Sequence, residues 1–504
     1  MALQSEQQQQ QTLNGSVAGV NEIPLPCQRV GDDDSQASGF SIPDLPEDIW
    51  RHIHSLMPMD VAASAACLSR AFLASWRCYP KLDLNPDTLC CETDRTNLRC
   101  RVDSILRNHS GIGLKILDIN LWHEKSCIPY IDSWLQLAVT PGIEEITLTL
   151  CEEYNFPCSV LSDGARNSVR SLHLTNCTFR PMPELGTLRS LTILRLWSVR
   201  ITGDELERLL SNSLAMEHLR LQDCQEIIIL KIPSVLQQFS YLEVYGCWNV
   251  QAVENKAPNL TRFLLIGKAE KLSLGEASQM MKAFTLGRND AICYGRAELP
   301  SMMPNLESLG LSSFSEVHTA PLLPTKFLNL KHLAIQICGG TYSCPSYDYL
   351  SLVSFLDACP SMETWYLNVY QDRSEYESVF GASLNFRQLP EHPKLKSMEI
   401  VGFKSAKILV ELTCCIVKSA TSLERLKLNT FDGFSRCSEE NNSDCRDEMC
   451  RPIRKAVLKE ASRALVAITR YIEDKVPATA KLTVQEPCPC PRCRSTHMDD
   501  RKRR

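Results

Sequence analysis

Three groups of residues in this chain carry side chains able to do chemistry. Near the end, Cys488, Cys490, Cys493 and His497 offer three thiols and an imidazole, the ligand types that bind zinc. Their Cys-x-Cys-Pro-x-Cys arrangement lacks the paired spacing of a zinc site, so the expectation is no metal and no cofactor. The run Arg501-Lys502-Arg503-Arg504 reads as a solvated basic end, with a nuclear import signal as the alternative. Midway along the chain, Arg195, Trp197, His218, Arg220, Tyr241 and Tyr245 gather aromatic and guanidinium groups, the types enriched at protein interfaces. Catalytic machinery has no counterpart in the pattern: Gly275, Gly287 and Gly295 form no phosphate-cradling loop, and neither a G-x-S-x-G elbow nor a His-Glu-x-x-His pair occurs. The expectation is a non-catalytic binding protein, without catalytic residues.

Composition bounds the partners. Across 504 residues, 44% are hydrophobic and 22% charged, enough apolar material for a large core and too little charge for a solvating chain. Fifty-four Lys and Arg against 59 Asp and Glu give a net charge of −5, so no basic field exists for nucleic acid. The apolar run Ile227 to Leu230 is closed by Glu226 and Lys231, and no stretch reaches the length of a membrane span. Met1 to Gln11 lacks a basic start and an apolar run, so a cytoplasmic or nuclear location is expected. The 24 cysteines therefore need an explanation other than disulfides.

The elements that must position these residues follow from periodicity. Residues 1–40, with Gln7 to Gln11 and Asp32-Asp33-Asp34, read as a disordered tail. Residues 41–84 form a helical block of about three helices: Ile49, Ile53 and Leu56 share one face, Pro58 interrupts, Asp60 is placed to cap, and an alanine-rich helix runs from Val61 to Trp76. After a linker helix or cap at 85–113, the template L-x-x-L-x-L recurs from Leu114, Ile143, Val169, Leu191, Met216, Phe239, Leu260, Met281, Leu306, Leu330, Met362, Leu395 and Leu423. The mean spacing is about 26 residues, that of leucine-rich repeats, which predicts an α/β solenoid over 114–431. Longer intervals leave Gly339 to Tyr349 and Tyr370 to His392 as loops. Residues 432–451 read as a mobile acidic loop. A capping helix that starts at Pro452 and keeps Ile453, Val457, Ala461, Leu465, Ile468, Ile472 and Val476 on one face, then a strand, fill 452–487. A Cys-rich basic tail, 488–504, follows.

Eight residues after each start, such repeats place an inward Asn or Cys. Cys151, Cys177, Cys224, Cys247 and Cys338 occupy that position where chance would supply about 0.6 cysteines, so they read as a buried thiol ladder. Trp122, Val199, Lys268, Asn289, Phe314, Tyr370, Phe403 and Phe431 hold the other eight, and Lys268 is the poor fit. Residues two, four and six after each start point away from the core, which puts the Arg195 to Tyr245 cluster on the concave face as the expected substrate site, with a solvated surface carrying scattered aromatics as the alternative.

The helical block and the repeats together resemble the F-box/leucine-rich-repeat proteins, in the style of their large plant branch. The resemblance rests on Leu45-Pro46-Glu47-Asp48-Ile49, Ile53, Leu56, Pro58, Asp60, Ala63, Ala66, Cys67, Ser69, Arg70, Phe72 and Trp76, followed by the repeats. It implies the substrate-recognition subunit of a Skp–cullin–F-box (SCF) ubiquitin ligase, acting in protein degradation without catalysis of its own. Leu45, Pro46, Ile49, Ile53, Leu56, Pro58, Cys67, Phe72 and Trp76 would dock on a Skp-type linker protein, and through it on a cullin, while the repeats hold a protein substrate. His52, His54 and the run of alanines depart from the family pattern. An interaction scaffold outside any ligase, or a small-molecule hormone receptor of the same architecture, are the alternatives.

Overall fold

A computed structural model describes residues 45–89, 97–161, 163–182, 185–339, 347–371, 376–431, 453 and 455–487. The expectations for residues 1–40, 432–451 and 488–504, including Cys488, Cys490, Cys493 and His497, lie outside the described residues. The chain divides into two units, Met1–Tyr79 and Pro80–Arg504.

The first unit holds α1 (Glu47–Ser55), α2 (Met59–Ala65) and α3 (Arg70–Trp76). Pro46 and Pro58 stand immediately before the first two helices, where a missing N–H costs nothing, and Glu47, Asp48 and Asp60 lie in first turns against the positive dipole end. Asp60 is therefore inside α2 and makes no cap, contrary to expectation. The single helix expected from Val61 to Trp76 is two helices, because Ser69 adopts an extended backbone and its hydroxyl accepts the Phe72 N–H at 3.1 Å, starting α3 afresh. Trp50 and His54 are buried. The Trp50 ring meets Phe72 edge to face at 4.9 Å, His54 lies against Phe72 and Tyr79, and the Tyr79 hydroxyl donates to the Met57 carbonyl at 2.7 Å. The inward face of α1 is thus one residue round from the expected stripe, and Ile49 and Leu56 are left 42% and 72% exposed.

The second unit is built on a 15-stranded parallel sheet. β1 (Lys81–Leu84), β2 (Ile116–Leu121), β3 (Glu145–Asn155), β4 (Ser171–Thr178), β5 (Ile193–Trp197) and β6 (His218–Gln222) stack in chain order. Next, β7 (Ile229–Ile232), β9 (Ala252–Asn255) and β11 (Lys271–Ser273) leave to form a separate three-stranded sheet, while β8 (Tyr241–Tyr245), β10 (Arg262–Ile266) and β12 (Ala283–Arg288) continue the main one. β13 (Ser308–Ser313), β14 (His332–Gly339), β15 (Thr364–Gln371), β16 (Ser397–Val401), β17 (Arg425–Asn429) and β18 (Lys481–Gln485) complete it. Each of the 13 strands from β2 to β17 in this sheet begins two residues after one of the repeat starts, and every start residue is buried. Neighbouring repeats pair with their leucines aligned, Leu194 opposite Leu219 and Leu196 opposite Leu221, because one shifted residue would turn the leucines out of the core; the register shifts only between β3 and β4, after Thr149. This second unit is an α/β solenoid with one continuous core. The sequence reading contained neither β1 nor the three-stranded sheet.

Strand alternation would send the eighth residue outward with the second, fourth and sixth. In five repeats it is turned in, because the residue before it adopts a left-handed backbone: Asn176 (φ 52°), Ser198 (51°), Asp223 (53°), Gly246 (66°) and Gly402 (74°). The residues that follow, Cys177, Val199, Cys224, Cys247 and Phe403, are all at most 1% exposed. Cys224 and Cys247 make true rungs, each thiol reaching a carbonyl of the preceding repeat, Leu196 at 3.5 Å and Leu221 at 3.7 Å. Where the turn is absent the eighth residue is released: Trp122 and Lys268 are exposed, and Cys151 and Cys338 are only half-buried, which corrects the expectation of a full ladder. Phe431 alone is buried without it.

The C-terminal helix runs Lys455–Tyr471, ending before Val476, and buries Ala461, Ala464, Ala467 and Ile468. Arg296, in the helix Ala291–Ala297, is wholly buried and donates to the carbonyls of Ser354 at 3.0 Å and Leu323 at 2.6 Å and to the Thr325 hydroxyl at 3.3 Å. Burial lowers its pKa, and its three bonds join two stretches of the array distant in sequence.

Candidate partner-binding surfaces

The solvent-facing side of the main sheet is a grid whose rows are set by register. Along one row stand His173, Arg195, Arg220 and Glu243; along the next toward the strand starts stand His218, Tyr241 and Arg262; toward the strand ends stand Trp197, Gln222 and Tyr245. The six expected residues, Arg195, Trp197, His218, Arg220, Tyr241 and Tyr245, therefore lie on adjacent strands β5, β6 and β8, about 4.8 Å from strand to strand. Trp197 and Tyr245 are 37% and 46% exposed, while Arg195, His218 and Tyr241 are half-buried.

Their contacts make one cluster. The Tyr241 ring lies under two guanidinium groups, Arg220 at 5.2 Å and Arg262 at 5.3 Å, and meets His218 edge to face at 5.7 Å. The Tyr241 hydroxyl donates to Glu243 at 2.6 Å, and Arg220 pairs with the same carboxylate at 3.4 Å. Glu243 is the one carboxylate in these three rows from β4 to β10. Arg195 and Arg262 form no ion pair among the described residues, and the Arg195 Nε–H is buried without a hydrogen-bond partner. Burial, helped by the positive charges of Arg195 and Arg220, lowers the His173 pKa. His218 is lowered by burial against the opposing pull of Glu217, with Arg262, Arg220 and Arg195 adding to the burial effect. Both rings thus favour the neutral form.

Three contributors were missed by the sequence reading. Arg262 and His173 occupy outward positions of their own repeats, so the rule that found Arg195 and Arg220 reaches them too. Trp122 was counted as an inward residue; lacking the left-handed turn before it, the indole stays outside, 39% exposed, and stacks on Trp197 at 5.8 Å. The Trp197 Nε1–H also donates to Asp223 at 3.3 Å, which holds the paired indoles against the rim. At the other end of the row, Asp118 on β2 faces Asp83 on β1. Burial first, and the Asp83 charge second, raise its pKa to about 6 against a smaller opposing pull from Lys81.

The first unit presents a second surface. Of the residues expected to dock on a linker protein, Pro46, Ile49, Leu56, Pro58 and Cys67 are exposed, and Leu45, Ile53, Phe72 and Trp76 are half-buried. Phe72 and Trp76 also serve the small core, Trp76 packing on Tyr79 at 5.4 Å. Val61 and Leu68, 47% and 75% exposed, add to the apolar surface. Among the described residues no group of three or more His, Cys, Asp or Glu is arranged to hold a metal, and no helix is long and apolar enough to cross a membrane.

The fold and these surfaces define a leucine-rich-repeat solenoid preceded in the chain by a short helical unit. Residues 105–489 match the family described as At1g61320/AtMIF1, LRR domain, and the chain belongs to that family, among plant-type F-box/leucine-rich-repeat proteins. Similar curated proteins come from Arabidopsis thaliana. F-box protein At5g03100 is 23% identical over 245 residues, 48% of this chain and 75% of its own. FBD-associated F-box protein At1g66310 is 23% identical over 430 residues, 79% of this chain and 91% of its own.

Proposed function

We propose that this protein is the substrate-recognition subunit of an SCF-type ubiquitin ligase, a non-catalytic adaptor working in the cytoplasm or nucleus. The helical unit docks on a Skp-type linker, which carries it to a cullin, and the outward face of the repeats holds the protein to be ubiquitinated. The observation that carries the reading is the first unit itself. Its three helices use Trp50, His54 and Tyr79 for their own small core and leave Ile49, Leu56, Val61 and Leu68 in solvent, where a partner helix would cover them. On the outward face of the repeats, Trp197 and Tyr241 are the residues assigned to substrate.

Co-expression of the full chain with a Skp-type linker tests the docking step. Leu56 and Leu68 are 72% and 75% exposed, so Leu56→Asp with Leu68→Asp removes apolar docking surface without opening a core. The expected result is a stable complex with the intact chain and its loss in the variant at unchanged helical content. A folded intact chain that does not bind the linker refutes the ligase reading.

A further inference from the structure

The cluster on β4 to β10 carries more positive charge than its own side chains neutralise. Arg220 and Arg262 lie over Tyr241, Arg195 stands opposite Arg220 on the next strand, and Glu243 is the single carboxylate in their outward rows, leaving two positive charges in those rows with the imidazoles neutral. Arg195 also keeps a buried Nε–H with no acceptor, a donor whose hydrogen bond is absent from the protein itself. From the surplus charge, the fork geometry of guanidinium and the orphan donor, we infer that this face captures a phosphorylated segment of a protein, the phosphate seated between Arg195, Arg220 and Arg262. A phosphoserine or phosphothreonine brings a charge of about −1.5 to −2 and three acceptor oxygens, which matches the surplus and can receive bidentate bonds. A single carboxylate would balance only half of it.

The aromatic rim sets the second contact. Trp197 follows Arg195 by two residues on β5, so its indole, stacked on Trp122, begins about 7 Å along the strand from the arginine. An extended segment places a flat side chain, proline or aromatic, two positions from its phosphorylated residue at that distance. The inference rests on the reading of the repeats as the substrate-binding part.

The test uses the immobilised full chain and three degenerate peptide pools that differ only at a central residue: phosphoserine or phosphothreonine, the unmodified residue, and Glu. Expected is at least tenfold greater retention of the phosphorylated pool than of either other pool. Arg195→Gln with Arg262→Gln should reduce it to the unmodified level, and Trp197→Ala should lower it severalfold. Should Arg195→Gln unfold the chain, the exposed Arg262→Gln alone carries the test, with melting temperature as the control. Equal retention of the Glu pool would overturn the phosphate assignment in favour of acidic segments, and equal retention of all three would overturn an anion site. Equal, arginine-dependent binding of a mixed single-stranded oligonucleotide would overturn a protein partner. Linker binding in the arginine variants separates the two readings: its retention with no phosphopeptide selectivity sinks only this inference.

Discussion

Asp118→Asn is expected to make the protein more stable at neutral pH and to leave it unchanged in acid. The carboxyl is partly buried beside Asp83, and its pKa stands near 6 in place of 3.8. A raised carboxyl pKa means the folded state binds the proton more tightly, so stability falls as pH rises from about 4 to 6 and the whole loss is present at pH 7. A shift of about two units corresponds to about 3 kcal/mol, reduced by whatever water still reaches the carboxyl. Asn keeps the shape and cannot ionise, so it removes both the desolvation cost and the repulsion from Asp83. Thermal unfolding of wild type and variant at pH 4, 5, 6 and 7 measures the difference; for a unit this long each kcal/mol corresponds to roughly 1–2 °C. The gap should open between pH 4 and 6 and stay level above. A constant offset at every pH, or a variant less stable at pH 7, refutes the electrostatic account. Asp83→Asn should give a smaller gain at pH 7, since it relieves the lesser of the two causes.

Two further substitutions probe the frame. Arg296→Met keeps much of the volume but strands the Ser354 and Leu323 carbonyls, and should cost about 3 kcal/mol, seen as a lower melting temperature; no change would show that those bonds are expendable. Gly246→Ala forces a β-carbon into a left-handed backbone and to 2.2 Å from the Asp223 carboxylate, and should cost about 2 kcal/mol while loosening Trp197 through Asp223; tryptophan fluorescence and melting report the two effects.

The strand positions were legible because three apolar residues per repeat at fixed spacing have only one way to be buried together, and each of the 13 strands begins where that pattern puts it. The inward eighth residue was legible only in part. Its direction depends on the backbone of the residue before it, so Cys177 and Cys247 turn inward after Asn176 and Gly246, while Trp122 follows Leu121, which continues the strand. Residue type narrows this without deciding it, since Gly267 stands in the same place and does not turn. In α1 the stripe Ile49, Ile53, Leu56 looked like the core because it is aliphatic; the larger Trp50 buries more surface one position round and prevails. The three-stranded sheet was invisible because β7, β9 and β11 have only three or four residues each, too few for alternation to register.

The left-handed turn gives the array two kinds of module. A repeat that has it commits its eighth side chain to the core and meets partners only through its strand residues, as β5, β6 and β8 do; one without it can leave that side chain in solvent as a further contact, as Trp122 and Lys268 show. The change is made by a single backbone angle near the C-terminal end of the strand, where Ser198, Asp223 and Gly246 still donate their N–H groups to the next repeat. The choice is therefore tied to the core: Leu121, the residue before Trp122, is wholly buried at the end of β2, so the same side chain that anchors that repeat also keeps the indole outside.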